Sequence, residues 1–88
     1  MTLRIERVRA EGRVVIRLIG RVQAECVAAV QAEIEGAGSA LALELLEVTL
    51  VDVEAVRFLM ACEESGVALL HCSPYIRRWM ARERPPHA

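Results

Sequence analysis

The sequence contains no lysine, a single aspartate at Asp52, and one each of Trp, Tyr and Phe. With so few aromatic residues, a core has to be assembled from Val, Leu, Ile and Ala packed closely, which suits thin layers of strand and helix. No apolar run approaches the roughly 20 residues that span a bilayer as a helix, so direct membrane insertion is not expected. The opening MTLRIERVR spreads charges where a secretory leader is apolar, and the expected location is cytoplasmic. No C-x-x-C pair is present: Cys26, Cys62 and Cys72 are odd in number and far apart, with only His71 beside one of them. That pattern reads as buried free thiols in a reducing compartment, with neither a metal site nor a cofactor. A glycine-rich phosphate loop is missing too, because Gly36-Ala37-Gly38 follows a helical pattern where a dinucleotide fingerprint follows a strand.

What is present sets further bounds. Eighty-eight residues make one small domain, and 55% of them are apolar, enough for a core without disulfides. The formal net charge of −1 offers no field to attract nucleic acid. All eleven basic residues are Arg, to which no function is assigned.

Residues Thr2 to Arg9 alternate, Leu3 and Ile5 against Arg4 and Glu6, and predict a half-exposed strand. A turn at Glu11-Gly12 leads to a second alternating strand, Arg13 to Ile19, making a hairpin that ends at Gly20. From Gln23 to Glu35, Val27, Val30 and Ile34 recur at helical spacing, and Gly36 to Ser39 stops the helix. Ala40 to Val51 reads as a covered strand plus a loop, running straight into Asp52. A second helix spans Val53 to Glu64, with Val56, Leu59, Met60 and Cys62 inward, and stops at Ser65-Gly66. Val67 to Cys72 is a short strand. Ser73-Pro74 then supplies an N-cap and a first-turn proline for a helix to Glu83 that buries Ile76, Trp79 and Met80. The expected fold is α/β, β-β-α-β-α-β-α, a mixed four-stranded sheet with an antiparallel edge strand and packed helices. The domain spans 1–84 and a flexible tail 85–88.

Three pieces carry a family resemblance. Gly20-Arg21-Val22-Gln23 closes the second strand, Leu43 to Val56 reads LELLEVTLVDVEAV, and Gly66 to Cys72 is followed by Ser73-Pro74. In this order they resemble the STAS family, the small domains of bacterial anti-sigma factor antagonists and of the cytoplasmic tails of sulfate transporters. In that family the central strand has the form LDLSGVTFIDSSGL, and the match is gapless through this motif. The resemblance implies a non-enzymatic protein-interaction module whose partner is an anti-sigma factor or another regulatory protein. In phosphoregulated members the hydroxyl residue just after the motif's Asp is phosphorylated by a partner kinase, which breaks their complex. The matching position here is Val53, which has no hydroxyl to phosphorylate. Glu54 and Ala55 stand where the family has Ser or Thr and then Gly, and Gln23 where it has Asp. The scaffold is kept and the switch is lost.

The expected partner-binding residues are Asp52, Val53, Glu54, Ala55 and Arg57, with Arg21 and Gln23 from the earlier turn. As N-cap of the second helix, Asp52 also has a structural role that suits the helix dipole. Glu54 resembles a fixed negative charge beside the lost phosphosite. A displaced phosphosite at Thr49 is disfavoured, because its phosphate would meet Asp52 and Glu47. No nucleophile, histidine base or metal set accompanies Asp52 and Glu54, so catalysis is not expected. Arg77, Arg78, Arg82 and Arg84 complement the negative end of the last helix, or else form a docking face for an acidic partner with Tyr75 and Trp79 as anchors. Two other functions fit the same scaffold: an accessory subunit of a membrane transport complex, and a small-ligand or nucleotide sensor. A homodimer through the first strand is a further expectation, although its Arg residues discourage edge pairing.

Overall fold

Alternation of apolar and polar residues builds the first hairpin, β1 (Leu3–Ala10) and β2 (Arg13–Val22), in the computed structural model, which describes residues 3–38 and 40–84. Glu11 and Gly12 between them both take positive φ, 52° and 78°, as a two-residue loop matched to strand twist demands. There follow α1 (Ala24–Ala37), β3 (Leu41–Val51), α2 (Val53–Glu64), β4 (Ala68–Leu70) and α3 (Pro74–Glu83). The sheet order is β1-β2-β3-β4, with β1 antiparallel to β2 and the other pairs parallel. This is the expected mixed sheet with an antiparallel edge. The expectations for Thr2, Ser39 and the 85–88 tail fall outside the described residues.

Several boundaries differ from the sequence reading. Gly20 does not end β2: the strand runs on to Val22, with register shifts between Arg17 and Ile19 and between Gly20 and Arg21. Gly20 accommodates the second irregularity with φ of 106°, open to a residue without a Cβ. Nor does β3 dissolve into a loop. It stays extended to Val51 because Arg21 and Val22 of β2 pair with Leu50 and Val51, even though Leu46, Glu47, Thr49 and Leu50 are exposed. At the other edge β4 is only Ala68–Leu70, shorter than Val67 to Cys72, since His71 turns to φ of 55° and leaves the strand. In α1 the buried residues are Cys26 and Val30, with Val27 and Ile34 half-buried; Met60 in α2 and Trp79 in α3 are likewise half-buried.

Leu3, Val14, Ile16, Leu18, Leu41, Leu43 and Leu45 point alternate side chains to one side of the sheet, where Val30, Val56, Leu59, Ile76 and Met80 of the three helices join them in one core cluster. The opposite side carries a row of charge. Arg4 pairs with Glu6 at 2.9 Å, Glu6 with Arg17 at 3.4 Å, Arg17 with Glu44 at 2.7 Å, and Glu44 lies 4.0 Å from His71. The Glu44 carboxylate, by hydrogen bond and by charge, holds the Arg17 guanidinium above its ordinary pKa. Because a side chain at Gly20 meets an unfavourable φ, Gly20→Ala is expected to lower the unfolding free energy by about 1–2 kcal/mol in urea denaturation. An unchanged midpoint would contradict the strained bulge.

Candidate functional site

Because β2 and β3 are parallel and end level, with Val22 opposite Val51, the two helices that follow begin side by side. A helix start exposes backbone N–H groups without intrahelical partners, and the carboxyl ends of parallel strands are where such starts gather. Asp52 sits between them in extended conformation, φ −112° and ψ 178°. Its Oδ1 accepts the N–H of Ala55 at 2.9 Å, the N-cap bond expected for α2. Its Oδ2 accepts the N–H of Ala24, the first residue of α1, at 2.8 Å. One carboxylate therefore closes two helices from separate parts of the chain. Gln23 is the N-cap residue of α1 by position, yet its side chain makes no capping bond.

The second bond has a signal in the sequence, though an indirect one. Gln is a poor cap, so a helix beginning after Gln23 needs an acceptor from elsewhere, and Asp52 is the only aspartate.

The other expected site residues are placed unevenly around this carboxylate. Val53, the first residue of α2, is half-buried, and Arg21 at the end of β2 is exposed. The side chains of Glu54 and Arg57 are each 60% exposed and lie 3.6 Å apart; Arg57 also reaches Glu83 of α3 at 3.0 Å. Ala55 is corrected from a contact residue to a core residue. It is 0% exposed because its methyl group lies on the sheet side of α2, and its N–H, not its side chain, serves the site. Thr49 is exposed near the end of β3, bordering a small hollow with Leu50, Ser73 and Tyr75.

The cysteines are free, Cys26 and Cys62 buried and Cys72 half-buried. Among the described residues no group of three or more His, Cys, Asp and Glu side chains could hold a metal. Also among these residues, no helix is long and apolar enough to cross a membrane. Burial pushes the Cys62 thiol up to about 11 and, as the main cause, raises Cys72 as well.

Two outcomes follow from this geometry. Asp52→Ala should cost about 2–3 kcal/mol, since two caps are lost, and Asp52→Asn less, since one oxygen acceptor remains. Native-state hydrogen exchange should then show faster exchange at both Ala24 and Ala55; acceleration at Ala55 alone would remove the bond to α1. For Cys62, the raised native pKa means that the neutral thiol contributes stability fully below the ordinary 9.0, and that this contribution is lost as the pH climbs from there towards about 11. Urea midpoints should fall across that window, and fall less in Cys62→Ala.

No family model and no curated protein matches the chain. Solved structures do. The anti-sigma factor antagonist SpoIIAA in its unphosphorylated form is similar over 90% of this chain and 81% of its own, at 21% identity and a TM-score of 0.65. An uncharacterised protein of the DUF3478 family from Shewanella loihica, with a SpoIIAA-like fold, is similar over 93% of this chain and 76% of its own, at 13% identity and a TM-score of 0.55. Mglu, a larger protein, shares 20% identity and a TM-score of 0.60 over 78% of this chain and 19% of its own. Element order, strand pairing and these likenesses agree that the chain adopts the STAS fold, the architecture of the anti-sigma factor antagonist SpoIIAA.

Proposed function

We propose that this chain is a non-enzymatic protein-interaction module, working in the cytoplasm like an anti-sigma factor antagonist, that binds a regulatory partner without a phosphoserine switch. The docking surface is the end of the sheet where β2 and β3 deliver α1 and α2: Arg21, Gln23, Val53, Glu54 and Arg57, with Asp52 beneath them. The observation that carries this reading is the double cap. Asp52 fastens both helix starts at 2.8 and 2.9 Å, so the loop is already shaped before a partner arrives and little ordering entropy is lost on binding.

Val53 argues against switching at this surface. At the position that resemblance assigns to the phosphorylated residue it offers a half-buried aliphatic side chain, with no oxygen to accept a phosphoryl group. Glu54 is a permanent charge one residue later, but it lies 3.6 Å from the Arg57 guanidinium, which makes it a weaker imitation of a free phosphate. An interface of this kind draws its affinity from shape and fixed charge.

Calorimetry with an anti-sigma factor from the same genome tests both halves. Stoichiometric binding is expected with the same affinity before and after incubation with Mg-ATP, and the intact mass of the chain should stay unchanged. Val53→Arg should weaken binding at least tenfold, by steric block and misplaced charge, in a chain that still unfolds cooperatively in a thermal melt. Equal binding by that variant would move the interface off the loop, and a phosphorylated mass would end the claim that no switch operates.

A further inference from the structure

Helix α3 turns more chemistry outward than packing requires. Ile76 and Met80 are buried, while Tyr75, Arg77, Arg78 and Arg82 are exposed. Two of the helix's charged side chains are engaged with α2, Arg77 with Glu63 at 2.9 Å and Glu83 with Arg57 at 3.0 Å. Arg78 and Arg82 enter no salt bridge among the described residues. With Glu83 neutralised by Arg57, the local field on this face is positive although the whole chain carries −1.

The same face holds two of the three aromatic residues of the sequence. Tyr75 and Trp79, one turn apart, meet edge to face with ring centroids 5.8 Å apart and planes inclined by 64°. Together with Arg82 and Glu83 they line an open cleft of about 400 Å³. Tyr75 is 53% exposed and Leu50 42%, and these two border an adjoining hollow. A single exposed apolar side chain is ordinary. Two rings in edge-to-face contact and a leucine beside two guanidinium groups without salt bridges among the described residues form a patch that joins an anchor site to a charge site.

We infer that this face of α3 is a second docking surface, distinct from the Asp52 loop, for an acidic segment of another protein. An aliphatic or aromatic side chain of that segment enters the cleft against Tyr75 and Trp79, and its carboxylates pair with Arg78 and Arg82. Guanidinium groups suit this role because they bind carboxylates through two parallel N–H bonds. Trp, Tyr and Arg are also the residue types that carry most binding energy at interfaces. An anionic membrane is the poorer occupant. The apolar residues Ile76 and Met80 face the core, so the helix has no broad apolar face left to lie in a bilayer.

Trp79 is the sole tryptophan, so the intrinsic fluorescence of the full chain reports on the cleft directly. The chain is titrated with a short synthetic peptide of Asp, Glu and Leu, with the same peptide carrying Asn and Gln for Asp and Glu, and with phosphatidylglycerol vesicles. A saturable blue shift is expected with the acidic peptide. Its affinity should fall roughly tenfold with the neutral peptide, and as much in the Arg78→Gln, Arg82→Gln double variant. Both side chains are exposed, so that variant should stay folded, with only the small fall in its thermal melt that the lost helix-end charge brings. The absence of a saturable shift, equal affinity for the neutral peptide or in the double variant, or a stronger response to vesicles than to the acidic peptide would each overturn the inference.

Discussion

The interaction on which the rest depends is the pair of hydrogen bonds made by one carboxylate. Parallel strands ending level bring two helix starts together, and each start presents backbone donors that have to be met. Asp52 meets one from each helix, Ala24 of α1 and Ala55 of α2. The bond to Ala24 joins residues 28 positions apart, so it fixes the start of α1 beside that of α2 as well as terminating a helix. The resulting preformed end of the sheet carries the proposed docking surface, which means that stability and recognition draw on the same atoms.

That arrangement depends in turn on the length of β2 and β3. The pairing of Val22 with Val51 sets the start of α1 beside Asp52, within reach of the Ala24 N–H. Past the irregularity at Gly20 the strand stays paired to Val22, and this pairing with β2 keeps the largely exposed Leu46 to Leu50 stretch of β3 extended. The aromatic-poor composition has a related consequence. The core cluster of buried residues contains no aromatic side chain; Phe58 and Trp79 pack only against its margin, and Tyr75 faces solvent.

Local chemistry made much of the fold legible in the sequence. The order of elements follows from alternation and helical spacing, and the bounds of α2 and α3 follow from Asp52, Ser73 and Pro74, whose side chains act as caps or permit a first turn. Strand ends were not legible, because whether a backbone stays extended depends on a partner strand far away in sequence. The site divides in the same way. Asp52 as cap of α2 is a local feature, visible three residues ahead of Ala55. Its bond to Ala24 crosses 28 positions and follows only from the register of β2 and β3. Ala55 shows the converse: a resemblance places it in the binding motif, while helical periodicity turns its side chain inward and leaves only its amide for the site.

The row of ion pairs on the face opposite the helices has a consequence for how the molecule behaves in a crowded solution. A sheet with helices on one side offers its bare side to any other sheet, and flat stacking of that kind is a route to precipitation. Here the bare side is crossed by Arg4, Glu6, Arg17 and Glu44 in alternating sign. Individually such exposed pairs contribute little to folding. Stacking a second sheet upon them requires stripping water from four ionised groups at once, with their charges already satisfied by one another and nothing offered in return. The ladder thus makes this side of the sheet a costly one to stack upon.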